Sequence, residues 1–272
     1  MTIWTLSAWF WPPWAVMWAL AAGIYVVCKI VTWLNSRVAA APWKQAVYLL
    51  AWPGMDAEAF LGARVVAAVS AAEWVFAGLK FALGVTLMWL VVPRLATVGI
   101  CDYAVGWVGM IAIVIMLHFG LFHVLSCLWR TLGMQAEPIM HWPVASKSLA
   151  EFWGRRWNRA FRDLTHRFLF RPLAYRVGPA KALLLGFFVS GVLHDAVISV
   201  PAGGGYGLPT CFFMVQGLGM LVERSSMGKR IGLGRGVIGW GFCAVIVVLP
   251  SVLLFHRPFV EVVVIPFLRA IR

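Results

Sequence analysis

Apolar runs close to the length of a membrane crossing recur along this chain, and they limit it to very few folds. A helix needs about 20 apolar residues to cross the hydrocarbon core. Runs near that length cover 14–34, 73–92, 103–128, 179–200, 208–222 and 236–255. In lipid, every backbone N–H and C=O must be paired within the protein, which leaves helices or a closed barrel. A barrel strand alternates apolar and polar residues over a short segment, and these runs do not alternate. Only 12% of the 272 residues are charged, about half the share usual in a soluble domain. The sequence predicts an all-α polytopic membrane protein with six spans and some interfacial or re-entrant helices.

The pieces between spans fit this plan. Residues 1–13 are rich in Trp, which favours the bilayer interface. No Lys or Arg precedes the first apolar run, so a cleaved signal is not expected. Residues 43–62 contain Trp52-Pro-Gly-Met-Asp56, which breaks a helix, and read as interfacial or re-entrant. Residues 258–268 are apolar but too short to cross without tilt. Lys29, near the end of the first run, is expected to snorkel to the interface. The turn Pro201-Ala-Gly-Gly-Gly-Tyr206 is uncharged. The chain reads as one membrane domain, 1–272: N-terminal spans over 1–129, a basic region over 130–178, and C-terminal spans over 179–272.

The net charge is +13, and its distribution favours topology over nucleic-acid binding. Loops 35–72, 130–178 and 223–235, with Lys181, hold 17 of the 23 Lys and Arg residues. Positive loops stay in the cytoplasm, so the N-terminus is expected outside. The expected location is a bacterial inner membrane, from the Arg-, Ala-, Gly- and Trp-heavy composition. The five cysteines are scattered, and no Cys/His pair has zinc-site spacing, so no metal site is expected. His118 and His123 are five residues apart, a poor metal pair on a helix.

Two stretches carry candidate chemistry. The first is Glu151-Phe-Trp-Gly-Arg-Arg-Trp-Asn158, within a segment that reads as an amphipathic helix over 151–170. On a wheel, Trp153, Trp157, Phe161, Leu164 and Phe168 form an apolar stripe, opposite Arg155, Arg159, Arg162 and His166. Asn158 lies at the flank and offers both donor and acceptor. The same pattern fits a helix that only anchors to headgroups, with Asn158 as a cap. The second stretch is Val189-Ser-Gly-Val-Leu-His194-Asp195, inside the fourth span. An ionisable residue at membrane depth points to function, although an interhelical hydrogen bond also accounts for His194. Ser190 and Gly191 share its side and leave room for a close approach. Asp195 lies about 100° around the helix from His194, so the two do not form a dyad.

Taken in order, these two motifs resemble the wax-synthase branch of the membrane-bound O-acyltransferase (MBOAT) superfamily. That branch pairs a Phe-Trp-x-x-x-Trp-Asn motif with an intramembrane Ser-Gly-x-x-His. The likeness extends loosely over 134–223. It implies a helical bundle around an intramembrane tunnel, open to cytosolic acyl-CoA. It implies acyl transfer to an alcohol hydroxyl, with no cofactor beyond acyl-CoA as co-substrate. His194 matches the family histidine, as general base. Asn158 matches the asparagine, orienting substrate or stabilising the oxyanion. Trp153, Arg155, Arg156, Trp157, Arg159, Ser190 and Gly191 are the expected substrate-binding residues. Asp195 stands where plant members tend to have Glu. The expected partners are acyl-CoA, a hydroxyl-bearing acceptor and the bilayer, with no nucleic acid; the oligomeric state is open. The rival readings are a transporter or lipid flippase, and a scaffold that uses the basic loop.

Overall fold

The computed structural model describes residues 11–62 and 66–271, so the Trp-rich lead-in lies largely outside the described residues. The protein is all-α among these residues. Helix α1 is Pro13–Leu34, and two short helices follow, α2 (Pro42–Ala51) and α3 (Ala57–Leu61). Then come α4 (Ala71–Thr97) and α5 (Asp102–Thr131). The basic region folds as α6 (149–156) and α7 (159–177). Helix α8 is Pro179–Ala202, α9 is Leu208–Arg224 and α10 is Ser226–Arg230. Helix α11 is Gly236–Leu254, and α12 covers 257–270. Among the described residues, five helices have both the length and the hydropathy to cross: α1, α4, α5, α8 and α11. The sixth expected span, α9, has 17 residues, about 25 Å of helix.

Contacts decide where α9 runs. Its start follows the Gly203–Gly207 turn at the end of α8. At its far end, Glu223 accepts the backbone N–H of Leu149, 2.6 Å away in the basic region. The same end is close to the start of α11, where Trp240 donates to the Val144 carbonyl at 2.8 Å. Helix α9 therefore returns from the uncharged face to the basic face, as the sixth span requires. The first 259–271 contacts settle the other open segment. A Cβ on Gly106 would meet Val260 and Ile265, and one on Gly109 would meet Leu268. Both ends of α12 thus meet the first turns of α5, and Arg269 pairs with Asp102 at 2.8 Å. This helix lies across the start of α5 and does not traverse the bundle.

Close approach of helices α4 and α5 depends on glycine. A Cβ on Gly120 would lie 2.5 Å from Phe81 Cα. Small residues let backbones meet where lipid supplies no hydrophobic drive. Midway along α5, Val114–Leu121 is wound as a π-helix.

The 42–62 segment packs on the basic region. Tyr48, Trp52, Phe60 and Leu61 pack with Met134, Ile139 and Ala160 in one buried cluster. Lys29 overturns its expected snorkelling. It is 1% exposed, its Nζ lies 3.4 Å from the centre of the Tyr48 ring, and it donates to the Gly54 carbonyl. An amine turned inward is tolerated because a carbonyl and a π-face replace part of its hydration.

Two outcomes test this layout. In a cysteine-free background, Gly204→Cys and Lys229→Cys should label with an impermeant maleimide from opposite sides of sealed vesicles; labelling from one side would remove the α9 crossing. Lys29→Met, which leaves the Gly54 carbonyl without its donor, should lower stability by about 1–3 kcal/mol, read by thermal unfolding in detergent.

Candidate active site

The basic region is not the continuous helix that the wheel assumed. Helix α6 begins with Ser148, whose hydroxyl accepts the Glu151 N–H at 2.9 Å. The spacing Ser148-Leu-Ala-Glu151 is that of a capping box, a signal the amphipathic reading passed over. The second half, Phe152–Arg156, is π-wound. The helix then stops. Trp157 is extended and Asn158 is left-handed, with φ of 42°. Backbone groups that would have continued the helix pair elsewhere: His141 N–H donates to the Arg156 carbonyl at 2.8 Å, and Arg159 N–H to the Ile139 carbonyl at 3.0 Å. Asparagine suits the break for two reasons. It tolerates the left-handed region better than most residues, and its Oδ1 accepts the Phe161 N–H at 3.2 Å, capping α7. Its NH2 group has no protein partner among the described residues.

Arginines expected at the substrate divide by what they already hold. The Arg156 guanidinium binds Glu151 at 2.7 Å and donates to the carbonyls of His141 and Trp142 at 3.3 and 3.2 Å. It thereby steadies Trp142, a non-glycine residue at φ of 49°, whose ring stacks 5.1 Å from Phe76. Burial pushes the Glu151 carboxyl up, but the Lys147 N–H and Arg156 outweigh it and hold the group below its ordinary range. Arg159 pairs with Glu137 at 2.8 Å. Arg155 is exposed and makes no ion pair among the described residues.

Aromatic packing joins this region to the fourth span. Phe152 stacks on Trp157 with centroids 5.6 Å apart. Trp153 meets Phe187 at 5.7 Å and Phe213 at 5.8 Å. The Phe213 ring lies 4.4 Å from His194, and Phe161 approaches the same imidazole at 6.5 Å. So Trp153 and the Asn158-capped helix reach His194 by two routes, one through Phe213 and one through Phe161. Trp153 Nε1 also donates to Gln216 Oε1 at 3.3 Å, and Gln216 donates to the Ile246 carbonyl at 2.7 Å. Gln216, 0% exposed, escaped the sequence reading; a carboxamide amid an apolar run was its signal.

His194 has a defined tautomer. Its Nδ1 lies 2.6 Å from the Ser190 carbonyl, which can only accept, so Nδ1 carries the proton. Nε2 keeps its lone pair and has no protein partner among the described residues. The Ser190 hydroxyl is turned back to the Gly186 carbonyl at 2.9 Å. Gly191 serves close packing: a Cβ there would lie 2.6 Å from Thr210 Cα.

One cluster lies outside this arrangement. Near the basic end of α4 and α5, the ligand atoms of Glu73, His123 and Cys127 all lie within 4.8 Å of one another, a grouping not expected from their spacing. Two cations already occupy it. Arg130 donates to Glu73 at 2.6 Å, and Lys80 Nζ lies 2.6 Å from His123 Nδ1. His118 stands apart, its buried Nδ1 without a hydrogen-bond partner among the described residues.

Residues 136–215 match the profile of the membrane bound O-acyl transferase family. The likeness to that family covers under a third of the chain. The matched residues take in both motifs, from the loop that pairs with Arg156 to Phe213. The chain is 31% identical over 122 residues to the long-chain-alcohol O-fatty-acyltransferase of Simmondsia chinensis, covering 40% of this chain and 34% of the relative. It is 30% identical over 128 residues to the probable long-chain-alcohol O-fatty-acyltransferase 7 of Arabidopsis thaliana, covering 41% of this chain and 36% of the relative. The chain thus spans about a third of the length of the curated relatives it matches.

The double use of Asn158 is testable. Asn158→Ala loses the cap and strains the left-handed turn, and should cost about 1–3 kcal/mol in thermal unfolding, whereas Asn158→Gly should cost clearly less. The Glu151–Arg156 clamp also has a pH sign. Because the folded carboxyl titrates below its unfolded value, its stabilisation is present above about pH 4.3 and is lost as pH falls through the folded value. Glu151→Gln should weaken that acid-side loss of stability.

Proposed function

We propose that the chain transfers a fatty acyl group from acyl-CoA to an alcohol hydroxyl, as a wax-ester-synthase-like O-acyltransferase. The observation that carries the reading is the His194 tautomer. An imidazole with Nδ1–H committed to a carbonyl offers Nε2 as a base, at membrane depth, beside a segment matched to an acyltransferase family. The similar plant proteins are named as long-chain-alcohol O-fatty-acyltransferases, which supports a long-chain alcohol as acceptor.

In this reading Nε2 takes the proton of the acceptor hydroxyl as its oxygen attacks the thioester carbonyl. The tetrahedral intermediate collapses, the C–S bond breaks, and the imidazolium returns the proton to the departing thiolate. No covalent enzyme intermediate is required. Such base catalysis is worth roughly 10²–10⁴-fold. The free NH2 of Asn158 is a donor for the acceptor hydroxyl or the developing oxyanion. Trp153, Trp157, Ser190 and Gly191 shape the wall around the site. Arg155 is the arginine of the motif left to meet the donor's phosphates, while Arg156 and Arg159 act through the loop they hold. The basic face is cytoplasmic in this reading, which puts the N-terminus outside and acyl-CoA on the side of α6, in a bacterial inner membrane.

Purified protein in nanodiscs, given palmitoyl-CoA and hexadecanol, should form the ester. His194→Ala should reduce turnover by at least about 100-fold with helix content unchanged. Undiminished turnover in that variant removes the general-base role.

A further inference from the structure

Helix α9 has a start that its own sequence does not cap. Gly207 is the N-cap and contributes no side chain, and Pro209 has no N–H to offer. Gly207 holds φ at 81°, which a side chain would strain. The missing cap comes from the preceding span. Asp195 Oδ1 accepts Gly207 N–H at 2.8 Å, and Oδ2 accepts the Thr210 N–H at 3.1 Å and the Thr210 hydroxyl. A carboxylate here meets the positive end of the helix as well as its orphan N–H groups. No Lys or Arg pairs with it among the described residues.

The same carboxylate ties a third element. Ser199, 0% exposed, donates to Asp195 Oδ1 at 2.8 Å. His256 Nε2 lies 3.1 Å from the Ser199 oxygen, and His256 Nδ1 accepts the Phe259 N–H at 3.2 Å. Since Nδ1 accepts, Nε2 carries the proton and donates to Ser199. This serine, histidine and aspartate are therefore not a nucleophilic triad, because the imidazole has no lone pair left for the hydroxyl. They are a tether from the end of α8 to the start of α12.

We infer that Asp195 is a positioning residue that fixes the first turn of α9 along α8, and through it the Phe213 ring against the His194 imidazole. Thr210, held by Asp195, is the residue against which Gly191 packs. Phe213 is three residues on, one turn along α9, and lies 4.4 Å from His194. Asp195 makes no hydrogen bond to His194 among the described residues, yet it governs what faces that imidazole. The effect on turnover rests on the acyl-transfer reading; the cap itself does not.

The experiment uses the full chain in nanodiscs with palmitoyl-CoA and hexadecanol, together with hydrogen exchange over 207–216. Asp195→Asn keeps the shape but turns an NH2 toward donors. It should lower kcat about tenfold or more, since small misplacements at a reacting centre cost that much. KM for palmitoyl-CoA should change by less than about threefold, and the amides of Thr210–Phe213 should exchange faster. Thr210→Val, which removes only the hydroxyl contact, should show the same pattern more weakly, and Thr210→Ser should restore at least half of kcat. Wild-type kcat in Asp195→Asn overturns the positioning role, and so does lost kcat with unchanged exchange. A wild-type protein that makes no ester overturns the acyl-transfer reading instead, while exchange over 207–216 still decides whether Asp195 is the cap.

Discussion

Carboxylates seated on backbone N–H groups, and not on cations, hold this bundle at both ends of α9. Asp195 caps the start of α9 from α8. Glu223, at the end of α9 and 5% exposed, caps the start of α6 through Leu149 and Ala150. Each helix in this relay has its orphan donors satisfied by the element before or beside it. The first N–H groups of a helix have no partner within it, so each carboxylate supplies acceptors that the helix it caps cannot supply for itself. Between them, Gln216 and Phe213 on α9 reach Trp153 and His194. The two sequence motifs thus meet through a helix that contains neither of them.

The spans and the basic loops were legible in sequence because they rest on composition, which no local detail can reverse. The return of α9 to the basic region was legible in the same way, through charge on its far loop. His194 was legible as an ionisable residue in an apolar run. The break at Asn158 was not. A helical wheel assumes one axis, and backbone pairing of 156–159 with 139–141 is a tertiary event that periodicity does not encode. The capping-box spacing at Ser148 marked a helix start, but nothing nearby marked so early a stop. Lys29 failed for a related reason. Snorkelling is the default for a lysine near a span end, and the carbonyl and ring that reverse it come from a segment 19 and more residues downstream.

Arginine usage in the basic region shows the difference between charge and availability. A count of guanidinium groups suggests a broad phosphate-binding surface. In the fold, Arg156 holds two carbonyls and a carboxylate, and Arg159 holds Glu137. These contacts set the shape of the loop that the two arginines hold. Arg155 alone among the three keeps an exposed guanidinium without an ion pair among the described residues.

The π-wound stretch of α5 carries a consequence for how this helix could have evolved. One residue added to an α-helix rotates everything beyond it by about 100°, unless the surplus is absorbed locally. Val114–Leu121 absorbs it. The half of α5 before the bulge can keep its glycine face toward α12, and the half after it can keep His123 and Arg130 toward α4. A single-residue deletion there would turn one half relative to the other, exchanging a polar face for a lipid-facing one without altering either end's sequence. The helix is in effect two independently phased segments, and insertions or deletions between Val114 and Leu121 are the mutations that would reset their phase.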